Sequence, residues 1–215
     1  MNCVVNFANE RGNYIKGQQR LVKSLMDTKW QGSILCFQSE DQLENCPNHL
    51  DNPYAFKIYA ISEAVMRGFN KILFVDASVW AIKPIDEIFE VIDSEGYIMQ
   101  EAGHMVGNWC NDYTLNYFNL TREEALKMPM YGNAGFLGLN FDFQIAREFF
   151  SQWTESMQAG CFKGSWADHR HDMTCGSIIA NRLGMKYKSG HSYLQYAAPE
   201  DKPLNETIIL KAQGL

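Results

Sequence analysis

Asp76 ends an unbroken apolar run, Ile72-Leu-Phe-Val75, and is followed by Ala77 and Ser78. A buried parallel strand fixes the direction of the residue at its carboxyl end and leaves that end open, so a carboxylate there can meet a divalent cation. Asp76 can equally cap the turn before Val79. A second concentration is Trp166-Ala-Asp-His-Arg-His-Asp172, which sets two carboxylates, two imidazoles and a guanidinium just before an apolar helix. Such a group is costly to bury unless a ligand or metal organises it. Otherwise it is a solvated helix cap in which Asp172 accepts amide hydrogen bonds.

A third feature is Ser189-Gly-His191-Ser192, a glycine-supported turn displaying one imidazole. His191 becomes a metal ligand only if the fold carries it to Asp76. No HExxH helix and no Cys/His zinc spacing occurs, whereas a carboxylate and an imidazole with open positions suit Mn2+ or Mg2+ holding a diphosphate. Tyr131-Gly-Asn-Ala-Gly135 leads into the apolar Phe136 to Leu139. Its glycines let the backbone approach a sugar, and Asn133 offers a donor and an acceptor; the same residues also read as a tight entrance to a core strand. Lys57, on the polar side of its helix, can reach a phosphate, in competition with Lys16, Arg20 and Arg67. Trp80 and Trp109 can stack on a sugar or pack in the core. The GxGxxG, GxxxxGK and GxSxG patterns are missing, which weakens nicotinamide, triphosphatase and serine-hydrolase readings.

Strand and helix patterns alternate through the first hundred residues. β-Branched or aromatic runs at 3–8, 33–37, 71–75, 97–100 and 135–139 read as strands, with a further short one at 185–188. Apolar spacing predicts helices over 15–26, 54–68, 85–92, from Asn140 or Asp142 to about 160, and over 171–183. Thr121-Arg-Glu-Glu124 is a capping box. The expected fold class is therefore α/β, a mainly parallel, mixed sheet flanked by helices, with its site beyond the carboxyl ends of the strands.

A chain of 215 residues, 46% hydrophobic and 20% charged, can bury one sizeable core, so disorder and small disulfide scaffolds are poor readings and one domain over 1–215 is expected. A net charge of -6 argues against a broad nucleic-acid footprint but permits a local basic cleft. No apolar stretch is long enough for a membrane span, and the opening residues lack the pattern of a secretory signal. Six cysteines without a CxxC pair fit reduced thiols and a cytoplasmic location.

Taken in order, these segments resemble the nucleotide-sugar glycosyltransferases of the GT-A fold. Lys71-Ile-Leu-Phe-Val-Asp-Ala-Ser78 is similar to the family's strand and Asp-x-Asp metal motif, with Ser78 where the second Asp normally stands. That departure leaves Ser78 a weak or water-mediated ligand. Tyr131-Gly-Asn-Ala-Gly-Phe136 resembles the Asn-Ala-Gly turn of retaining members, which implies that Asn133, Ala134 and Gly135 border the donor sugar. Asp172-Met-Thr-Cys-Gly-Ser-Ile-Ile179 resembles their later Asp-Gln segment, with Met173 replacing Gln.

The resemblance implies donor-sugar contact for Asp172, metal coordination by Asp76 and His191, and nucleotide contacts for Ala8, Asn9 and Tyr14. Lys57 would support phosphate, and Asp168 would be an acceptor-side base or positioning residue. It further implies Mn2+ or Mg2+, a UDP-sugar such as UDP-glucose or UDP-rhamnose, a glycan or glycoprotein acceptor, and transfer of a hexosyl or deoxyhexosyl group with retention. The Asp-His-Arg-His-Asp stretch and the compact size also resemble small transferases of polysaccharide and viral origin, chlorella-virus capsid-glycosylating enzymes among them, which would place the reaction in host cytoplasm. A carbohydrate-binding or inactive relative and a metal-dependent phosphohydrolase are the alternatives.

Overall fold

The computed structural model describes residues 1–131 and 135–213. In chain order the first half comprises β1 (Asn2–Phe7), α1 (Tyr14–Asp27), β2 (Ser33–Phe37), α2 (Phe56–Met66), β3 (Lys71–Val75), β4 (Val79–Ala81), α3 (Asp86–Glu95) and β5 (Tyr97–Met99). The second half continues with β6 (Glu101–Met105), α4 (Asp112–Tyr117), α5 (Arg122–Ala125), β7 (Pro129–Tyr131), β8 (Phe136–Asn140), α6 (Gln144–Gln158), α7 (His171–Arg182), β9 (Leu194–Tyr196) and β10 (Leu210–Ala212).

The central sheet has the order β2-β1-β3-β8-β5. β1 pairs in parallel with β2 and β3, while β8 runs antiparallel to both β3 and β5. Four of the five strands therefore share one direction, which is the mainly parallel, mixed sheet that the alternating pattern predicts. Continuous apolar strands are what a sheet covered on both faces requires. Val4, Leu73 and Val75 pack with Leu21, Leu25 and Phe89 of α1 and α3 on one face. Cys3, Val5, Ile72 and Phe74 pack with α2, α6 and α7 on the other. Each large side chain so buried contributes roughly 1.5–3 kcal/mol before entropy is counted.

Several local expectations are corrected. Lys57 is not on a polar helix face: α2 is enclosed on nearly all sides and the Lys57 side chain is 6% exposed. Neither Asn140 nor Asp142 caps α6. Asn140 Oδ1 accepts from the Asp142 amide at 3.1 Å, closing a turn one step earlier, and Phe143 occupies the cap position. The strand expected at 185–188 is reduced to one bridge, Gln100 to Lys188. The small sheet β4-β10-β9 and the β6-β7 ribbon were not legible in the sequence, because β4, β7, β9 and β10 have three residues each and the mostly exposed β6, Glu-Ala-Gly-His-Met, has no apolar alternation. The Thr121–Glu124 capping box forms as expected. All six cysteines are free. Among the described residues, no helix is long and apolar enough to cross a membrane.

Candidate functional site

A cleft of about 600 Å³ opens at the carboxyl edge of the central sheet. Three chain segments reach that edge for topological reasons. β1 and β3 are parallel and deliver Ala8-Asn9 and Asp76-Ala77-Ser78, and β8, antiparallel to β3, begins where β3 ends, at Val75 opposite Phe136. Polar contacts fix these ends: buried Asn6 donates to the Val75 carbonyl at 2.7 Å and accepts from Gln18 at 2.9 Å. Arg20, stacked on Trp80 at 4.0 Å, donates to the Ser78 carbonyl at 2.8 Å. Arg20 and Trp80 thus brace the loop from behind, and Trp80 is no sugar platform.

Asp76 serves both readings of its position. Its carbonyl accepts from Val79 to close the turn, while its side chain, 33% exposed, faces the cleft. Gly135 has φ +64°, and a Cβ there would fall 2.3 Å from the Asp76 carboxylate. Only glycine tolerates both that backbone and that approach.

Beneath Asp76 lies an ion triad. Lys57 Nζ is 2.8 Å from Asp172 Oδ2 and 3.6 Å from Asp76 Oδ1, with side-chain exposures of 6% for Lys57 and 4% for Asp172. Burial alone would lower the Lys57 pKa, but Asp172 and then Asp76 outweigh it and hold the ammonium above its ordinary value. Burial raises the Asp76 carboxyl, with Lys57 opposing and Asp172 adding to the rise. One ammonium shared by two carboxylates leaves this floor with one negative charge in excess.

Strained backbone flanks two of the triad's three elements, α2 and α7. Tyr54, just before α2, has φ +61°, and His171, the residue before Asp172, has φ +43°. Non-glycine residues adopt such angles at a cost of about 1–3 kcal/mol and keep them only where packing enforces them. Here the Tyr54 and His171 rings meet at 5.2 Å, and His171 Nδ1 lies 2.7 Å from the Phe162 carbonyl.

The charged stretch from Trp166 to Asp172 divides in two. Arg170, Trp166 and Asp172 line the cleft. His169 and His171 are buried against the Cys161 and Phe162 carbonyls at 2.7 Å. Burial lowers both imidazoles, His169 to about 4, so near neutral pH they are uncharged packing groups. Asp168 is exposed and outside the cleft lining.

Of the residues singled out from sequence, Ala8, Asn9, Tyr14, Lys57, Asp76 and Ser78 come together here, as do Gly135 and Asp172. Asn133 and Ala134 lie outside the described residues. His191 is exposed and does not line the cleft; its carbonyl accepts from Asn205 at 3.0 Å. Sequence reading missed Tyr54, Trp166 and Tyr196 in the lining; the left-handed Tyr54 leaves no sequence signal, and Trp166 sat unremarked at the head of its cluster.

Among the described residues no group of three His, Cys, Asp or Glu side chains is placed to hold a metal ion. The donor set still fits a hard divalent cation in one restricted way. Asp76 offers a carboxylate whose ion-pair partner among the described residues, Lys57, is shared, Ser78 offers an adjacent hydroxyl, and Mg2+-type sites commonly fill their other positions with water and phosphate oxygens. The whole lining carries Arg11, Lys57 and Arg170 against Asp76 and Asp172, a surplus of one positive charge on a chain of net charge -6.

No protein-family sequence model and no curated protein sequence matches the chain. Solved structures do. The apo structure of WbbM, a bifunctional glycosyltransferase, matches 97% of this chain at 14% identity and TM-score 0.56. An active-site mutant of LgtC matches 99% of it at 13% identity and TM-score 0.50. The chain spans 45% of WbbM's length and 87% of LgtC's. Mouse xyloside xylosyltransferase 1 covers 93% of this chain and 89% of its own at 11% identity and TM-score 0.49. The chain has the GT-A-like glycosyltransferase fold, as its ordered segments implied.

Proposed function

We propose that the protein is a glycosyltransferase that moves a hexosyl or deoxyhexosyl group from a UDP-sugar to a glycan or glycoprotein acceptor, assisted by Mn2+ or Mg2+ and with retention. The observation that carries this reading is the position of Asp76, a carboxylate facing a locally cationic cleft at the carboxyl edge of a transferase-type sheet. In the reaction the bond between the sugar's anomeric carbon and the diphosphate breaks, a bond to the acceptor oxygen forms, and the acceptor hydroxyl's proton is released together with UDP. Asp76, with Ser78 beside it, would hold the metal, which when bound offsets charge growing on the leaving diphosphate.

Ala8, Asn9 and Tyr14 form the edge for base and ribose. Lys57 Nζ, 2.8 Å from Asp172 Oδ2, holds that carboxylate in place, so that Asp172 orients the sugar rather than moving freely as a nucleophile. Asn133 and Ala134, outside the described residues, would border the sugar on the resemblance alone. Asp168 and His191, outside the lining, would need a change of chain position to take part, so neither is assigned a step.

The test is product formation from a panel of UDP-sugars and acceptor glycans, with donor hydrolysis measured separately; the viral resemblance makes a capsid-protein glycan a natural acceptor to include. Mass gain on an acceptor with stoichiometric UDP release is expected. Phosphate release without transfer would instead mark a phosphohydrolase, and binding without turnover a carbohydrate-binding or inactive protein.

A further inference from the structure

Arg170 is the unusual cation of the cleft. Its guanidinium lies between two indoles, 3.8 Å from the Trp109 ring and 4.2 Å from that of Trp166. Its backbone is tied down as well, donating to the Trp109 carbonyl at 3.0 Å. Yet among the described residues no carboxylate lies within ion-pair distance of the guanidinium, and Nη1 is buried with no hydrogen-bond partner. Arg122, by contrast, spends its donors on two carbonyls and a carboxylate, and Arg20, which also has a buried unpartnered Nε, gives its Nη2 to the Ser78 carbonyl behind the loop.

With two indoles against it, the guanidinium keeps unpaired N–H donors on its edge, and a fork of such donors matches a carboxylate or phosphate. Immobilising the side chain in advance also lowers the entropy lost when an anion binds. Trp166 is 49% exposed and lines the same cleft.

We infer that Arg170, clamped between Trp109 and Trp166, is the oxyanion receptor of the cleft, taking either an acidic group on the acceptor glycan or the diphosphate of the donor. The inference deepens the proposed transferase reading and rests on it for the naming of those two sources. The ligand chemistry is shared by both: an oxyanion accepting paired N–H bonds.

The experiment measures dissociation constants of the intact chain by tryptophan fluorescence, since two indoles flank the proposed contact. Ligands are UDP, a glucuronate-terminated oligosaccharide and its glucose-terminated neutral counterpart, each at low and high salt. Arg170→Gln keeps a flat, stackable amide without charge, and Arg170→Lys keeps charge without the fork. Loss of a charge-assisted bond should weaken the affected ligand on the order of ten- to hundredfold in Arg170→Gln, with Arg170→Lys between.

A wild-type preference for the acidic over the neutral oligosaccharide that disappears in Arg170→Gln supports the inference and locates the anion on the acceptor. A selective loss of UDP affinity supports it and locates the anion on the donor. If UDP binds all three proteins equally and the acidic and neutral glycans are not distinguished, the inference is overturned while the transferase reading stands. If UDP never binds but acidic glycan binding depends on Arg170, the transferase reading falls and the receptor stands. Failure of every ligand to bind the wild type overturns both.

Discussion

Replacing Lys57 by Met removes the one ammonium that serves two carboxylates. The contact to Asp172 dominates, at 2.8 Å with the carboxylate 4% exposed; the contact to Asp76 is longer at 3.6 Å and water screens that group, which is 33% exposed. Stranding a buried charge in this way costs about 3–5 kcal/mol. Urea unfolding followed by circular dichroism should therefore show Lys57→Met destabilised by about that amount at pH 7.5.

Removing both partners is different, because a neutral buried pair needs no counter-charge. Lys57→Met combined with Asp172→Asn should lie closer to wild type than the sum of the single changes by about 1–3 kcal/mol. A single variant within about 1 kcal/mol of wild type, against the 3–5 expected for a buried pair, or additivity in the double variant, would refute this reading of the triad.

Gly135→Ala must accept φ +64° and a Cβ 2.3 Å from the Asp76 carboxylate; a loss of about 1–3 kcal/mol in unfolding free energy and weaker donor binding are expected. Burial lowers the His169 pKa to about 4, so between its unfolded value near 6.5 and that value the unfolded state binds more protons; stability falls with acidification by about 3 kcal/mol. His169→Gln should flatten the pH dependence of urea midpoints over that window by a similar amount. Asp76→Ala should sharply reduce metal-stimulated UDP binding, and an unchanged metal response in the folded variant would remove Asp76 from that role. Because burial raises the Asp76 carboxyl, wild-type metal-stimulated UDP binding should fail on acidification above the ordinary carboxylate range, as titration calorimetry across pH would show.

The sheet and its covering helices were legible because each carries a long, unambiguous apolar pattern. Lys71–Val75 and Ser33–Phe37 fall where the sequence places them, and α7 ends one residue early. The cleft's location followed from strand direction, and the residues nearest a strand end, Asp76 and Ser78, followed with it. What failed was the sense of a side chain's surroundings. Lys57 reads as a surface lysine because its partners stand 19 and 115 positions away, and no local pattern reports a pairing made by tertiary packing. The stretch holding His169 and His171 reads as a ligand-organised site or a solvated cap because sequence shows proximity and not direction; both rings turn inward to carbonyls. His191 was joined to Asp76 only by resemblance, and its exposed turn lies off the cleft.

The central claim is that a sugar-nucleotide diphosphate lies in the cleft against Asp76, and a crystal structure of the chain grown with UDP and Mn2+ tests it most directly. Density for the diphosphate beside Asp76, with uridine along Ala8, Asn9 and Tyr14, is the expected result. UDP bound away from that cleft, or a cleft left empty at saturating UDP and Mn2+, would contradict it.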